Sequence, residues 1–313
     1  MRFAVFGAGG IGGYLGGRLA QAGEEVAIIA RGDHLTAIRD RGLKVDSING
    51  DFVFKPSMAT DDPAEVGPVD VVILGVKAWQ VEEAAKAMRP MVGPETCVLP
   101  LQNGVEARAQ LAAVLGDGAV LGGLGLIISF IVGPGHIRHA AGKPFVSFGE
   151  MDNRHSPRAE RLLEAFGRAG VQAAIPSNIE GAIWGKFMSI TAVSGVGAVT
   201  RAPAGVWRSF PETWEMAVQI VREADSVARG KGIPLTGSEA EAAIALLERA
   251  PSNATFSMQR DIMEGRPSEL GVLNGAVVRF GQETGVPTPL NTFIYHCLLP
   301  QEMNARGQLE FPV

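Results

Sequence analysis

The chain has 313 residues, which is long for a single hydrophobic core, so two domains are expected. Its composition, 46% hydrophobic and 19% charged, is that of an ordinary folded protein and excludes extensive disorder. The net charge of −5 gives no electrostatic reason to expect nucleic acid or an anionic membrane as a partner.

The location of the protein follows from three features. The chain begins directly with a strand-like segment, so we expect no cleavable signal. The longest uncharged stretch, residues 118–137, contains six glycines and a proline, and two buried strands explain it better than a membrane span. Cys97 and Cys297 both lie in apolar runs and are predicted to be buried thiols in a reducing compartment. We therefore expect a soluble cytoplasmic protein.

The first half of the chain alternates strand-like runs with helical patterns. Strands are predicted at 2–8, 26–30, 69–77 and 96–103, and helices at 10–22, 34–41, 79–88 and 106–115. Residues 118–149 read as β segments with turns, and a helix (157–170) and a strand (171–176) close this part. Apolar strands separated by helices indicate a parallel sheet covered on both faces.

Long helical patterns dominate the rest of the chain. They cover residues 179–196, 214–230, 237–250, 256–263 and 269–285. The prediction is an α/β protein with an N-terminal Rossmann-type doubly wound parallel sheet (1–177) and an all-α C-terminal domain (178–313).

A glycine-rich turn connects the first predicted strand to the first helix. In the segment 7–12, Gly7 allows a tight turn, Gly9 lets the backbone approach a pyrophosphate, and Gly12 lets helix and strand pack closely. The N-terminus of the following helix favours phosphate charge. The alternative is a turn that merely packs helix on strand. We predict that Gly7, Ala8, Gly9, Gly10, Ile11 and Gly12 bind a dinucleotide.

The end of the second predicted strand bears on the choice of dinucleotide. The acidic residue expected there, about 20 positions beyond the glycines, is replaced by Arg31, which suits a ribose 2′-phosphate. The alternative is a solvated Arg31 with Asp33 in the acidic role. We predict NADP(H).

Two further polar residues follow predicted strands. Lys77 and Asn103 stand at carboxyl ends of strands, where doubly wound sheets bind ligands. The alternatives are a solvated Lys77 and an Asn103 that caps the next helix.

Lys186 is a lone charge at the start of a segment, residues 187–200, that contains none. Such a lysine either snorkels to water or faces a polar cleft. A desolvated lysine has a lowered pKa, which suits a general acid.

The segment 257–270 contains several polar residues. On sequence physics alone a structural interpretation is favoured, with Ser268 as a helix N-cap, Glu269 as a first-turn acid and Asp261 paired with Arg266.

Taken together, the chain resembles the ketopantoate reductase (2-dehydropantoate 2-reductase) family. The matching segments, in the family's order and across nearly the whole chain, are GAGGIGG, VKAWQ, LQNG, IWGKF, SMQRDIMEGRPSE and GVPTPLN. The resemblance implies an NADPH-binding Rossmann domain, a helical domain, and an active site in the cleft between them.

The resemblance also implies roles for individual residues. Lys186 corresponds to the catalytic proton donor, and Glu269 to a paired acid that binds substrate and orders the site. Ser257 corresponds to a contact of the substrate carboxylate. Lys77 and Asn103 correspond to residues that serve the cofactor, with Asn103 also on the substrate side. Asp261 is expected to be structural.

The chain departs from the family at the positions four and eight residues after the lysine. The family's asparagines there are replaced by Ile190 and Ser194, and Ala254 replaces another, although Asn253 is adjacent. We expect both helix residues to line the substrate site, and the loss of the family's asparagines leaves the substrate open between ketopantoate and a less polar 2-oxo acid.

Three functional hypotheses follow from these residues. The first is an NADPH-dependent ketopantoate reductase, the second a paralogue for another 2-oxo acid, and the third a non-catalytic NADP sensor, against which Lys186 and Glu269 weigh. No metal is expected, because His136 and His139 have no third ligand beside them. An apolar helical domain is compatible with a homodimer.

Overall fold

The computed structural model describes residues 1–311. It divides into two compact units, the first comprising Met1–Gln102 and Glu106–Ile179, the second Asn103–Val105 and the chain from Glu180 onward. The domain boundary placed at 177/178 remains a prediction. The grouping of Asn103–Val105 with the second unit is not apparent from the sequence.

The first unit combines ten strands with six α-helices. The strands are β1 (Arg2–Phe6), β2 (Glu25–Ile29), β3 (Leu43–Ser47), β4 (Phe52–Phe54), β5 (Met58–Thr60), β6 (Val71–Leu74), β7 (Cys97–Pro100), β8 (Gly122–Gly133), β9 (His136–Gly149) and β10 (Gln172–Ala174). The helices are α1 (Gly10–Gln21), α2 (Gly32–Arg41), α3 (Pro63–Val66), α4 (Val81–Ala87), α5 (Ala107–Leu115) and α6 (Pro157–Arg168).

Five of these strands form a parallel sheet in the order β5-β2-β1-β6-β7. From β1 the chain first adds β2 and β5 on one side of the sheet and later adds β6 and β7 on the other side. A crevice therefore opens between the carboxyl ends of β1 and β6. Gly7 and Gly75, which follow these two strands, lie close together. A Cβ on Gly75 would stand 2.6 Å from the Gly7 carbonyl oxygen.

Alternate residues of β1 point into separate hydrophobic cores. Phe3 and Val5 pack in one core with side chains of α1 and α6, and Ala4 and Phe6 pack in the other with side chains of α4. A sheet buried on both faces requires apolar residues at consecutive positions, as β1 has. The predicted doubly wound α/β domain is confirmed.

A second sheet in this unit has the strand order β10-β9-β3-β4, and β8 pairs antiparallel with β9. The β8–β9 hairpin lies where β segments were predicted, but the expectation that residues 118–137 are buried is wrong for the second half of β8, where Phe130 and Ile131 are exposed. The sequence did not indicate β3, β4 or β5. These strands are short, and β3 alternates buried residues with charged ones such as Lys44 and Asp46, so it resembles a polar loop.

The second unit is built from helices. They are α7 (Ile179–Thr200), α8 (Ala204–Ser209), α9 (Pro211–Gly230), α10 (Glu239–Arg249), α11 (Ser257–Met263), α12 (Asn274–Thr284) and α13 (Pro289–Ala305). Up to residue 311 this unit contains no strand, so the all-α prediction is confirmed. The sequence did not indicate α8 or α13.

The prediction of one helix over 269–285 is wrong. A 3-10 turn at Leu270–Val272 comes first, and α12 begins only at Asn274. Leu273 interrupts the helix because its backbone (φ −105°, ψ −100°) is not helical.

The burial of α7 and of the two cysteines bears on how these segments are interpreted. By length and composition alone α7 could cross a membrane, but 67% of its most apolar window is buried inside the protein, as in the core helix of a soluble protein. Cys97 is buried as predicted, and its burial raises the pKa of the thiol to about 11. The prediction for Cys297 is wrong, because this residue lies on the exposed side of α13.

Candidate functional site

The glycine-rich turn forms a cradle at the N-terminus of α1. Gly7 has a left-handed backbone (φ +98°), and a Cβ on Gly12 would lie 2.3 Å from the Gly7 carbonyl oxygen. At Gly9 a Cβ would meet only the Gly75 carbonyl oxygen, at 3.7 Å, so backbone is accessible on that side. Gly9 is the N-cap of α1 and has no side-chain cap. Uncapped N–H groups beside an accessible backbone fit a dinucleotide pyrophosphate.

Arg31 directly precedes α2, near the end of β2. Its guanidinium is largely exposed and lies 3.2 Å from a carboxylate oxygen of Glu83, which is also exposed. An exposed ion pair of this kind contributes at most about 1 kcal/mol, so the guanidinium is readily redirected to a phosphate. Asp33, the alternative, lies in the exposed first turn of α2.

Lys77 is exposed just beyond β6 and precedes a 3-10 turn, Ala78–Gln80. Its ammonium lies 5.6 Å from the ring centroid of Trp79, within range of a cation–π interaction. Gln102 joins the ends of β6 and β7, donating hydrogen bonds to the carbonyl oxygens of Leu74 (2.9 Å) and Val76 (3.1 Å).

Asn103 belongs to the second unit, where its amide nitrogen donates a 2.9 Å hydrogen bond to Oε2 of Glu269. The alternative interpretation of Asn103 as a helix cap is wrong, because α5 starts at Ala107 with Glu106 at the N-cap. Two residues separated by 166 positions in the chain are thus joined directly.

Lys186 lies on α7, half-buried among the apolar residues of that helix. Burial lowers the pKa of its ammonium from 10.5 to about 8, although the carboxylate of Glu269 acts in the opposite direction. With a pKa of about 8, roughly nine in ten Lys186 side chains carry a proton at pH 7. The ammonium is therefore both charged and able to release its proton.

Glu269 is buried, and the backbone on either side of it is anchored. The Ser268 N–H donates to both carboxylate oxygens of Glu302, at 3.1 and 3.0 Å, and its hydroxyl also donates to Glu302. The same hydroxyl accepts from the Leu270 N–H at 3.2 Å, but the predictions of Ser268 as N-cap and Glu269 as first-turn acid are wrong, because Glu269 is itself the N-cap of the 3-10 turn. Arg306 donates to Glu302 at 2.6 Å and to the Ser268 carbonyl at 2.9 Å. The predicted pairing of Asp261 with Arg266 is confirmed at 2.8 Å.

Three residues at four-residue spacing on α7 are Lys186, Ile190 and Ser194. Ile190 is half-buried, whereas Ser194 is 1% exposed. Among the described residues, the Ser194 hydroxyl has no hydrogen-bond partner. Ser257 opens α11 and is half-buried. The substrate contacts assigned to Ile190, Ser194 and Ser257 stay predictions.

The sequence did not single out two residues that make hydrogen bonds to these segments: His34, whose Nε2 lies 2.9 Å from the Ala8 carbonyl oxygen, and Glu302, which accepts from Ser268. His34 comes three residues after Arg31, so the sequence places it near the predicted cofactor site but does not indicate its hydrogen bonds. Glu302 lies in a polar segment of α13 without any pattern that distinguishes it.

A glycine cradle of this kind at the start of the first helix of a doubly wound sheet is typical of nicotinamide-dependent oxidoreductases. A family model described as ketopantoate reductase PanE/ApbA matches residues 3–153, and the corresponding C-terminal model matches residues 178–302. The chain belongs to the ketopantoate reductase family. It is an oxidoreductase acting on a CH–OH group, in a family that depends on NADP(H).

Individual relatives match over nearly their full length. A 2-dehydropantoate 2-reductase of Mesorhizobium japonicum is 31% identical, with 92% of this chain and 94% of the relative covered. The crystal structure of a PanE/ApbA family ketopantoate reductase from Ralstonia eutropha is 32% identical, covers 98% of this chain and 100% of its own, and has a TM-score of 0.87. A D-mandelate dehydrogenase solved with NADH and anilino(oxo)acetate shares the fold at 24% identity, with 98% and 99% coverage and a TM-score of 0.88.

Proposed function

We propose that the chain reduces 2-dehydropantoate (ketopantoate) to pantoate with NADPH, as in pantothenate biosynthesis. The observation that carries the proposal is the Lys186 ammonium, whose pKa burial lowers to about 8, beside a Glu269 carboxylate held by Asn103. Several relatives are 2-dehydropantoate 2-reductases, which supports this substrate.

In this reaction bound NADPH supplies a hydride to the C2 carbonyl carbon. Lys186 donates a proton from Nζ to the carbonyl oxygen as the C=O π electrons move onto it. Until the proton is transferred, the positive charge of Lys186 stabilises the developing negative charge. Neutral Lys186 then takes a proton from water.

Glu269 has two roles in the proposed mechanism. Its negative charge raises the pKa of Lys186 against the effect of burial, which keeps the lysine protonated at neutral pH. The amide of Asn103 fixes one carboxylate oxygen, so the charge keeps a constant position. The other oxygen is proposed to contact the substrate.

The cofactor assignment rests on the glycine cradle for the pyrophosphate and on Arg31 for the 2′-phosphate, with Lys77 contributing positive charge nearby. The test is to titrate NADPH and NADH into the protein and into Arg31→Ala. We expect the variant to lose most of the preference for NADPH while binding NADH as before. Equal affinities for the two cofactors in the unaltered protein would refute the role of Arg31.

Ile190 and Ser194 favour an alternative substrate, a 2-oxo acid that is less polar than ketopantoate. Isoleucine cannot hydrogen-bond a substrate hydroxyl, and a site that lacks such a group discriminates less against apolar substrates. A steady-state panel of ketopantoate, 2-oxoisovalerate and phenylglyoxylate with NADPH separates the two possibilities. Ketopantoate is expected to give the highest kcat/KM, and much faster turnover of a simpler 2-oxo acid would overturn its assignment.

The remaining hypothesis, an NADP sensor without catalysis, predicts no turnover of any 2-oxo acid. We expect Lys186→Ala to lose turnover and to keep its affinity for NADPH. The matched variant Lys231→Ala, which removes a half-exposed lysine paired with Glu283, should stay active.

We also propose a cytoplasmic location and a homodimeric state. The helical unit exposes large apolar side chains, including Phe210 and Phe293, which are 57% and 54% exposed. Apolar side chains of this size at the surface are common at protein–protein interfaces. Light scattering on the purified protein should give twice the mass of one chain; the mass of a single chain would exclude the dimer.

A further inference from the structure

The imidazole of His34, on α2, bridges the glycine-rich turn and the turn between β8 and β9. Its Nε2 lies 2.9 Å from the Ala8 carbonyl oxygen. The Gly135 N–H donates to its Nδ1 at 3.0 Å. Because Nδ1 accepts a hydrogen bond from Gly135, Nε2 is the nitrogen that donates to the Ala8 carbonyl oxygen.

The hydrogen bond to Ala8 determines how the next N–H is oriented. In a trans peptide the carbonyl and the following N–H point in opposite directions, so holding the Ala8 oxygen fixes the Gly9 N–H. The turn would otherwise be loose, because Gly7 and Gly9 flank Ala8 and glycine has the widest choice of backbone conformations.

The far side of the His34 ring is itself firmly supported. Arg41 donates a 2.8 Å hydrogen bond to the Pro134 carbonyl oxygen. Gly135 has a left-handed backbone (φ +65°), and a Cβ there would stand 2.8 Å from the Ala37 side chain. The hairpin turn therefore lies directly on α2 and gives the imidazole a fixed donor.

We propose that His34 is a positioning residue of the cofactor site, which sets the plane of the Ala8–Gly9 peptide so that the cradle's N–H groups face the pyrophosphate. His34 acts through Ala8 and contacts no part of the cofactor. Its effect is thereby distinct from that of Arg31, which is proposed to contact the 2′-phosphate.

The test compares two ligands by isothermal titration calorimetry. NADPH carries both a pyrophosphate and a 2′-phosphate, whereas adenosine 2′-monophosphate, used at millimolar concentration, carries only the 2′-phosphate. His34→Ala should raise the Kd for NADPH about tenfold, the size expected for the loss of one hydrogen bond, and leave the Kd for adenosine 2′-monophosphate within about twofold. Arg31→Ala should weaken both ligands.

Two further variants keep the test decisive. His34→Gln offers one donor and one acceptor, so it should recover part of the NADPH affinity. His34→Leu fills the space without hydrogen bonds and should behave like His34→Ala; it replaces that variant if thermal unfolding shows the alanine protein to be unfolded. Unchanged NADPH affinity in the folded variant would overturn the proposal, and so would an equal loss for both ligands.

Discussion

Lys186 is subject to two opposing influences. Burial lowers the pKa of its ammonium, and the carboxylate of Glu269 raises it, with burial the larger effect. The resulting pKa of about 8 lies much closer to neutral pH than the ordinary value of 10.5. A proton donor works best when its pKa is near the working pH, because it is then both protonated and a strong enough acid.

The opposing effect of Glu269 gives a prediction with a definite sign. Glu269→Gln removes the negative charge and keeps an oxygen that accepts from Asn103, so the pKa of Lys186 should fall below about 8. The pH above which kcat/KM for reduction declines should therefore move downward.

The measurement for Glu269→Gln is a pH profile of kcat/KM for the best substrate of the panel. Glu283→Gln is the matched control, because Glu283 lies in an exposed pair with Lys231, and its profile should match that of the unaltered protein. An upward movement of the decline in Glu269→Gln would contradict the assigned electrostatic role.

At the scale of elements, the contact between α1 and β8 requires glycine. A Cβ on Gly10 would stand 2.1 Å from the Ser129 carbonyl oxygen, a clash with backbone that no side-chain rotation relieves. Gly167, near the end of α6, has nothing within 4 Å of the position of its Cβ.

These two helical glycines should respond oppositely to alanine. Gly10→Ala is expected to destabilise the fold by about 1–3 kcal/mol and to weaken NADPH binding, because the turn must move. Gly167→Ala should be neutral or stabilise the fold by up to about 1 kcal/mol, since alanine favours a helix. Urea unfolding gives both free energies. Equal effects would show that the hairpin does not constrain α1.

A second structural link joins α13 to the segment that carries Glu269. Glu302 is buried and accepts hydrogen bonds from Ser268 and Arg306. Glu302→Gln retains the shape but loses the charge, which should cost about 2–4 kcal/mol of unfolding free energy, because a buried charge pair is broken. It should also lower kcat, since Glu269 is no longer held in place.

The control for this prediction is Glu283→Gln, which breaks only an exposed ion pair and should cost at most about 1 kcal/mol. Denaturant unfolding and steady-state kinetics on the two variants provide the comparison. A Glu302→Gln protein with normal kcat would show that the α13 contacts stabilise the fold without positioning Glu269.

For the molecule as a whole, the sequence indicated those parts of the fold in which local pattern and tertiary environment agree. Continuous apolar runs such as 71–74 and 97–100 form strands that are buried on both faces. The glycines at 7–12 form the expected turn before α1. Strands β4 and β5 escaped detection because each has only three residues, and β3 because it carries two charged residues and is held in its sheet by β9, far along the chain. Likewise, Leu273 carries no helix-breaking signal, and its non-helical backbone is set by packing.

For the candidate site, the sequence indicated which residues to consider but not which partners they hydrogen-bond. Lys186 stood out as a lone charge in an apolar segment, and the resemblance to a family singled out Glu269. No spacing rule connects Asn103 to Glu269, or Ser268 to Glu302, because these hydrogen bonds join positions far apart in sequence. His34 likewise depends on a hairpin turn that follows it by about a hundred residues.

Lys186 is proposed to be the proton donor, with a pKa that burial lowers to about 8. The pH dependence of kcat/KM for 2-oxo acid reduction tests it most directly, because this parameter reports groups of the free enzyme. The profile should be level up to about pH 8 and fall tenfold per pH unit above it, and Lys186→Ala should be slower by about 10²–10⁴ and lack the decline. A profile that stays level to pH 10 in the unaltered protein, or a Lys186→Ala variant that keeps the decline, would contradict it.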